Sequence, residues 1–409
     1  MGSLLGLQTL AFAFGAVVGG RLSDRTGRRR VLLASLACYT VGVAVLAAAH
    51  HPATLAAGVA LSGLAIGADL PSSLALIAEG SAVRRARGIV ISQLLWVSGL
   101  GVTGVLGLVL APLGELAGRL LFVHLLLISV AVLLLRLNLR ESDEWTRARD
   151  TRDLGATTHE PASTQASAPI TRWHVTRNRT DPPAAGAAVP AIAAITAYYA
   201  LWNLGASTLG QFRPYLWIQV MGGSERGAAA LMLLALPIAI IGGIAFARKV
   251  DGATRPRWVL LGSMLSALGW LAVSVSPTPI GFVVLVVCFA AGASTSGEAI
   301  YKVWVHETVP TLTRATVQGA TMAAARLLAA LFALAAPSMA LAAPRTLFLA
   351  LFLGQAAATG LAVHLLVRSP LSPHFSGPAL RSTAALAALG GSRPWTHRPR
   401  RAHGRRLGP

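Results

Sequence analysis

The 409-residue chain is 54% hydrophobic and only 12% charged, with a mean hydropathy of +0.63. Soluble domains carry about 25% charged residues, so the composition excludes a water-soluble globular protein and places the chain in a membrane. The formal net charge of +20 would suggest nucleic acid in a soluble protein; here the arginines fall between apolar runs and in two polar segments, so no nucleic-acid partner is implied.

Apolar windows long enough to cross about 30 Å of hydrocarbon recur at 3–20, 31–49, 54–80, 89–112, 119–136, 190–212, 227–247, 258–276, 279–303, 316–340 and 346–367. These eleven windows predict eleven helices, because no other open structure satisfies its backbone in lipid. The first window lacks a basic n-region and a small-residue cleavage site, so it is not a signal peptide. Between the first two lies Gly20–Arg30, where Arg21, Arg25, Arg28, Arg29 and Arg30 surround Asp24. Such a loop must sit in water. Gly20 allows a helix end to approach a neighbour, and Gly27 reverses the chain. The basic residues cluster in alternate connections: 21–30, 84–87, 136–179, 248–257, 302–314 and the tail. The intervening connections are short and nearly uncharged. Arginine-rich loops stay cytoplasmic, which predicts a cell-membrane protein with its first residue outside and its C-terminus inside. Cys38 and Cys288 lie alone in apolar runs, so no disulfide framework is implied.

Four segments follow: an N-terminal helical bundle over 1–145, a flexible cytoplasmic loop over 146–189, a C-terminal bundle over 190–367, and a basic disordered tail over 368–409. The two bundles echo each other. Sixty-three residues separate Asp24 from Arg87, and sixty-three separate Asp251 from Arg314. Asp24 to Glu79 is 55 residues, and Asp251 to Glu307 is 56. Spacing shared over two spans and their loops indicates duplicated bundles of one topology.

Ionisable groups inside spans are functional candidates by default. Asp69 lies near the middle of the third window beside Pro71, which frees local backbone carbonyls; a desolvated aspartate there could carry a proton. Arg326, deep in the tenth window, is its expected partner, or an anchor for an anionic or hydroxyl-bearing substrate. Glu298 with Lys302 is either a local i,i+4 ion pair or part of a substrate site. Tyr199, Asn203, Ser207 and Gln211 recur every four residues, so they share one helical face, with Trp202 beside it. Gln93 and Trp96 repeat the amide-plus-ring combination. Amides, hydroxyls and flat rings suit a neutral polyhydroxylated ligand, although helix–helix hydrogen bonding would use the same residues. His124 and His364 are isolated, and no metal-ligand spacing, phosphate loop or other cofactor signature occurs.

The Gly20–Arg30 loop resembles the signature loop between the second and third helices of major facilitator superfamily transporters. Further motifs narrow the resemblance to the sugar-porter branch. Tyr301-Lys302-Val303-Trp304 through Glu307, Pro310, Thr311 and Arg314 to Gly319 looks like that branch's W-x-x-E-x-x-P-T-x-x-R element. Glu79 with Arg84, Arg87 and Gly88 looks like its E-(x)n-R-G connection. Arg140-Glu141-Ser142-Asp143-Glu144-Trp145 looks like its P-E-S-P-R-W element, with the proline and arginine lost. Within the branch, inositol-type porters look most similar. The resemblance implies an all-α, two-bundle membrane fold of about eleven transmembrane helices (five plus six), with the family's first helix missing before residue 3. It also implies a cytoplasmic charge network that holds the outward-facing state. Asp24 and Arg28 would pair with Arg87, Glu79 and Glu141, and Asp251 with Glu307 and Arg314.

The expectation is a monomeric secondary transporter of a small polyol or sugar, proton-coupled, with no cofactor and no enzymatic activity. The proton path is assigned to Asp69 and Arg326, and the substrate to Gln93, Trp96, Tyr199, Trp202, Asn203, Ser207, Gln211, Glu298 and Lys302. The alternatives are a proton-coupled organic-anion or drug transporter, in which Arg326 faces the substrate, and a truncated inactive paralogue. A polytopic membrane enzyme would need clustered acidic or histidine residues that the spans do not supply.

Overall fold

A computed structural model describes residues 2–80, 84–157 and 185–368. Residues Met1–Leu371 form one compact unit; the second unit, Ser372–Pro409, lies outside the described residues, as does most of the loop expected over 146–189. Among the described residues there are helices and no strands. They are α1 Gly2–Thr26, α2 Arg28–Ala47, α3 Pro52–Glu79, α4 Arg85–Leu110, α5 Glu115–Arg136, α6 Asp143–Thr157, α7 Ala185–Tyr215, α8 Glu225–Ala247, α9 Arg255–Val275, α10 Pro279–Ala293, α11 Glu298–Thr308, α12 Arg314–Ala342 and α13 Pro344–Arg368.

Ten segments of the described residues are long and apolar enough to span a membrane, α10 and α11 counting as one. The first of the eleven expected windows forms the long helix α1, whose stretch from Gly2 to Gly20 carries no charged side chain. A correction concerns 146–157: these residues, expected within a flexible loop, complete the polar helix α6.

Two helix breaks are set by glycine. Gly27 has φ 103° and separates α1 from α2; Gly297 has φ 74° and separates α10 from α11. Both lie in the left-handed region that L side chains avoid. Close packing supplies the other constraint on small residues. A Cβ on Gly20 would lie 2.3 Å from the Ala315 carbonyl oxygen, and one on Gly319 would lie 2.0 Å from that of Ala16. The backbones of α1 and α12 therefore touch, as small residues permit where lipid offers no hydrophobic drive. The second bundle is filled differently, with Trp270, Trp304, Tyr198, Tyr301, Phe246 and Phe282 among its fully buried side chains.

The helix pairings repeat between the halves. α1 packs on α3, α2 on α3, α2 on α5 and α4 on α5; the second half answers with α8 on α10, α9 on α10, α9 on α13 and α12 on α13. Across the seam α1 meets α12 and, reciprocally, α8 meets α4. That exchange of equivalent helices supports the duplication read from the residue spacing.

The α1–α12 contact has a direct consequence for stability. Gly319→Ala should lower the melting temperature of the detergent-purified protein, with an overpacking cost of about 1–3 kcal/mol. Gly360→Ala, where an added Cβ meets nothing within 4 Å, should leave it unchanged or slightly higher.

Candidate functional site

The ends of α1, α3 and α6 meet the start of α12 in a dense ionic cluster built around Arg28. Its side chain is fully buried. Nη1 donates to the Ser23 carbonyl and to Asp24 Oδ1, each at 2.9 Å. Nη2 donates to Glu79 Oε1 at 2.8 Å and to the Thr311 carbonyl at 2.7 Å, while Nε reaches Glu79 Oε2 at 3.2 Å. From the other half, Arg314 Nη1 donates to Glu79 Oε1 at 3.2 Å and Glu144 Oε1 at 3.1 Å. Asp24 accepts the backbone N–H groups of Ala315 and Thr316 at 3.3 and 2.7 Å, capping the first turn of α12. Three carboxylates (Asp24, Glu79, Glu144) thus face three guanidinium groups (Arg28, Arg314 and Arg85, the last 2.9 Å from Glu144). Balanced charge is what lets the cluster be buried.

Burial pushes the Asp24 carboxyl above its ordinary value, against the opposing pull of its Thr316 and Arg28 contacts. Burial also pushes Glu144 upward, but the Thr311 hydroxyl, Arg314 and Arg85 outweigh it and leave the carboxyl below its ordinary value. Glu141 takes a separate part: its Oε1 accepts the Arg28 N–H at 2.8 Å and its Oε2 the Arg29 N–H at 3.1 Å, capping α2. Trp145 Nε1 donates to the Asp24 carbonyl at 3.0 Å, fixing α6 to the same loop.

Four of the expected pairings change. Arg87 makes no ion pair among the described residues; Arg314 and Arg85 take the carboxylates instead. Asp251 lies exposed in the turn before α9, away from Arg314. Glu307 pairs with Arg255 at 2.6 Å, the counterpart of Arg28 with Glu79. Glu141 binds backbone rather than a side-chain cation. Glu144 and Arg255 were not singled out by sequence; Arg255 was legible as the residue four after Asp251, as Arg28 is four after Asp24.

Away from this cluster a cavity of about 370 Å³ lies between α4, α7, α8, α10 and α12. Gln93, Trp96, Trp202, Asn203, Ser207, Gln211 and Glu298 line it, together with Arg326 and the unforeseen Arg213. Tyr199 and Lys302 stand one layer behind. Tyr199 is fully buried and stacks on Tyr301 with ring centroids 3.9 Å apart. Lys302 Nζ donates to Gln93 Oε1 at 2.6 Å across the seam and pairs with Glu298 at 3.0 Å within α11. Sequence left Glu298 with Lys302 as either a local pair or a substrate group; the structure shows the local pair, and Glu298 lines the cavity while paired.

The break at Gly297 organises this wall. Tyr198 Oη accepts the Gly297 N–H at 2.7 Å, and the Trp202 ring fills the space a Cβ would need, 2.1 Å from that position. The discontinuity between α10 and α11 presents α11's N-terminus, with Glu298, to the cavity.

Asp69 does not join Arg326. It lies among α2, α3 and α5, ion-paired with Arg136 and accepting from Ser35 Oγ at 3.1 Å. Arg136 ends α5, and its long side chain reaches back into the bundle to pair with Asp69. Arg326 instead sits over the Phe12 ring at 5.4 Å and beside Tyr199 and Glu298. Among the described residues no group of His, Cys, Asp and Glu could hold a metal ion.

Comparison with known proteins agrees with this architecture. The chain is 29% identical over 320 residues to the minor myo-inositol transporter IolF of Bacillus subtilis, covering 77% of this chain and 69% of that protein. It is 28% identical over 293 residues to a probable triacylglyceride transporter of Mycobacterium bovis, covering 66% of this chain and 54% of the relative. The fold matches the proton:xylose symporter XylE bound to 6-bromo-6-deoxy-D-glucose with a TM-score of 0.70 at 15% identity, over 89% of this chain and 85% of the other. It also matches the human organic anion transporter MFSD10 with a TM-score of 0.66 at 21% identity, over 88% and 83%. The Major Facilitator Superfamily family model matches residues 1–334, and the chain, a multi-pass membrane transporter, belongs to that superfamily.

Proposed function

We propose that this protein moves a small polyol or sugar across the cytoplasmic membrane by alternating access, coupled to protons. The observation that carries the reading is a cavity between two repeated bundles, in which Gln93, Asn203, Ser207 and Gln211 are set among apolar side chains, with the Arg28–Glu79–Arg314 cluster joining the bundles away from it. With the arginine-rich loops inside, the cluster is cytoplasmic and the cavity faces outward. Rocking one half against the other would break the bonds from Arg314 and Thr311 to the first bundle and expose the cavity to the cytoplasm. One chain carries the whole cavity, so a monomer suffices. The similarity to a myo-inositol transporter, together with amide, hydroxyl and ring groups in the wall, supports a polyhydroxylated substrate.

In this reading the proton site shifts from Asp69 to Glu298. Glu298 is the carboxylate that lines the cavity, and its partner Lys302 also bonds Gln93 of the other half. Protonating Glu298 would release Lys302 and weaken the midplane link between the halves. Asp69 with Arg136 then serves as a structural pair of the first bundle.

The test is uptake of labelled myo-inositol into proteoliposomes under an imposed pH gradient. Gradient-driven accumulation is expected in the wild type. Glu298→Gln should abolish the response to the gradient while retaining exchange of labelled for unlabelled substrate. Asp69→Asn is expected to keep the gradient response; its loss there, with Glu298→Gln normal, would return the proton site to Asp69. For the cluster, Arg314→Ala should leave Glu79 and Glu144 under-compensated, at a cost of about 3–5 kcal/mol to the closed state. A cysteine placed at Thr311 in a background lacking Cys38 and Cys288 should then react faster with a membrane-impermeant thiol reagent applied from the cytoplasmic side.

A further inference from the structure

We propose that the compound carried in this cavity is an anion, a polyhydroxylated carboxylate of the sugar-acid class, selected over the neutral sugar by Arg326 and drawn in by Arg213. The inference rests on the polyol-transporter reading and narrows its substrate class.

The charge inventory of the cavity is unbalanced. Glu298 pairs with Lys302 at 3.0 Å and also lies near Arg326, but among the described residues neither Arg326 nor Arg213 has a carboxylate within ion-pair distance, so positive charge is in excess in the lining. Guanidinium groups in excess of carboxylates, between otherwise apolar walls such as Val90, Leu94 and Phe289, are costly in a bilayer and mark ligand paths. The unsatisfied hydrogen-bonding groups agree in sign. Arg326 Nε, Arg213 Nε and Trp202 Nε1 are buried N–H donors without acceptors, and the Tyr199 hydroxyl lies against Arg326. Arginine and tryptophan nitrogens can only donate, so the missing ligand group is an acceptor, and a negatively charged one satisfies the two arginines as well. Gln93 agrees, since its Oε1 already accepts from Lys302 while its amide NH₂ can donate to an acceptor on the ligand.

Depth separates the two arginines. Asn203 Nδ2 reaches the Ala325 carbonyl at 3.4 Å, next to Arg326. Arg213 lies ten residues further along α7, about 15 Å along a helix axis. Arg326 is therefore the deep contact for the carboxylate, and Arg213 is an attracting charge nearer the outer end of α7. Between them Ser207 and Gln211 face the cavity and suit the hydroxyl groups.

The experiment uses the full chain in proteoliposomes with labelled D-glucuronate, D-glucose and myo-inositol. The first two share one ring and differ by a carboxylate in place of a hydroxymethyl group. Half-saturation for glucuronate should come at a concentration about tenfold or more below that for glucose, as expected for a charge-assisted hydrogen bond. Arg326→Gln should erase that preference, and Arg326→Lys, which keeps the charge without the planar fork, should retain part of it. Arg213→Gln should slow glucuronate uptake at low ionic strength and match the wild type at high salt. Equal half-saturation for glucuronate and glucose in the wild type, or an unchanged preference in Arg326→Gln, overturns the anion inference and leaves the polyol reading standing. Uptake of none of the three probes by the wild type overturns both. Should Arg326→Gln fail to elute as a single species, the wild-type comparison of glucuronate with glucose decides alone.

Discussion

The fully buried guanidinium of Arg28 is the constraint around which the molecule is arranged. Taking that charge out of water is affordable only because all its donor nitrogens find acceptors: Ser23, Asp24, Glu79 and the Thr311 carbonyl. Those acceptors come from α1, α3 and the turn before α12, so satisfying one side chain fixes the relation of the two halves at that end. The local backbone follows from it. Gly27 turns the chain at φ 103° so that Arg28 can open α2 and point inward, and Glu141 occupies the space a side chain at Gly27 would take.

Repetition gives this device a twin and then withholds its reach. Arg255 with Glu307 repeats Arg28 with Glu79, as a duplicated chain should. The first pair extends across the seam, through Arg314, Thr311 and the start of α12. Asp251, the counterpart of Asp24, stays in an exposed turn, and Arg87, the counterpart of Arg314, pairs with nothing among the described residues. The two halves are thus held at this end mainly by one set of bonds. A rocking motion would have to break that set together with the Lys302–Gln93 bond, a short list that keeps both of its states within reach of a modest change in free energy.

The cavity depends on a second local irregularity. The break at Gly297 would strand backbone N–H groups in the midplane, but the Tyr198 hydroxyl takes the Gly297 N–H and the Trp202 ring packs into the gap. The polar stripe on α7 therefore serves two purposes. Its inner members hold the broken helix, while Asn203, Ser207 and Gln211 remain for the cavity. Tyr199 belongs to the supporting layer, stacked between Trp202 and Tyr301.

Composition and hydropathy alone determined that this is a helical membrane protein, since bilayer thickness and backbone satisfaction leave no other outcome for runs of that length. Residue spacing alone revealed the duplication and nominated Asp24, Glu79, Glu307 and Arg314, because charged loops between spans keep fixed separations. The four-residue period on α7 likewise placed Asn203, Ser207 and Gln211 on one face before any fold was known. Which charge meets which was decided only by tertiary structure. Arg136 reaching Asp69, Arg314 crossing to Glu79, and Arg213 entering the cavity all depend on helix crossings and side-chain reach, and a long flexible guanidinium can answer any carboxylate within several ångströms. The pairing is set by three-dimensional distance, which a linear spacing does not encode.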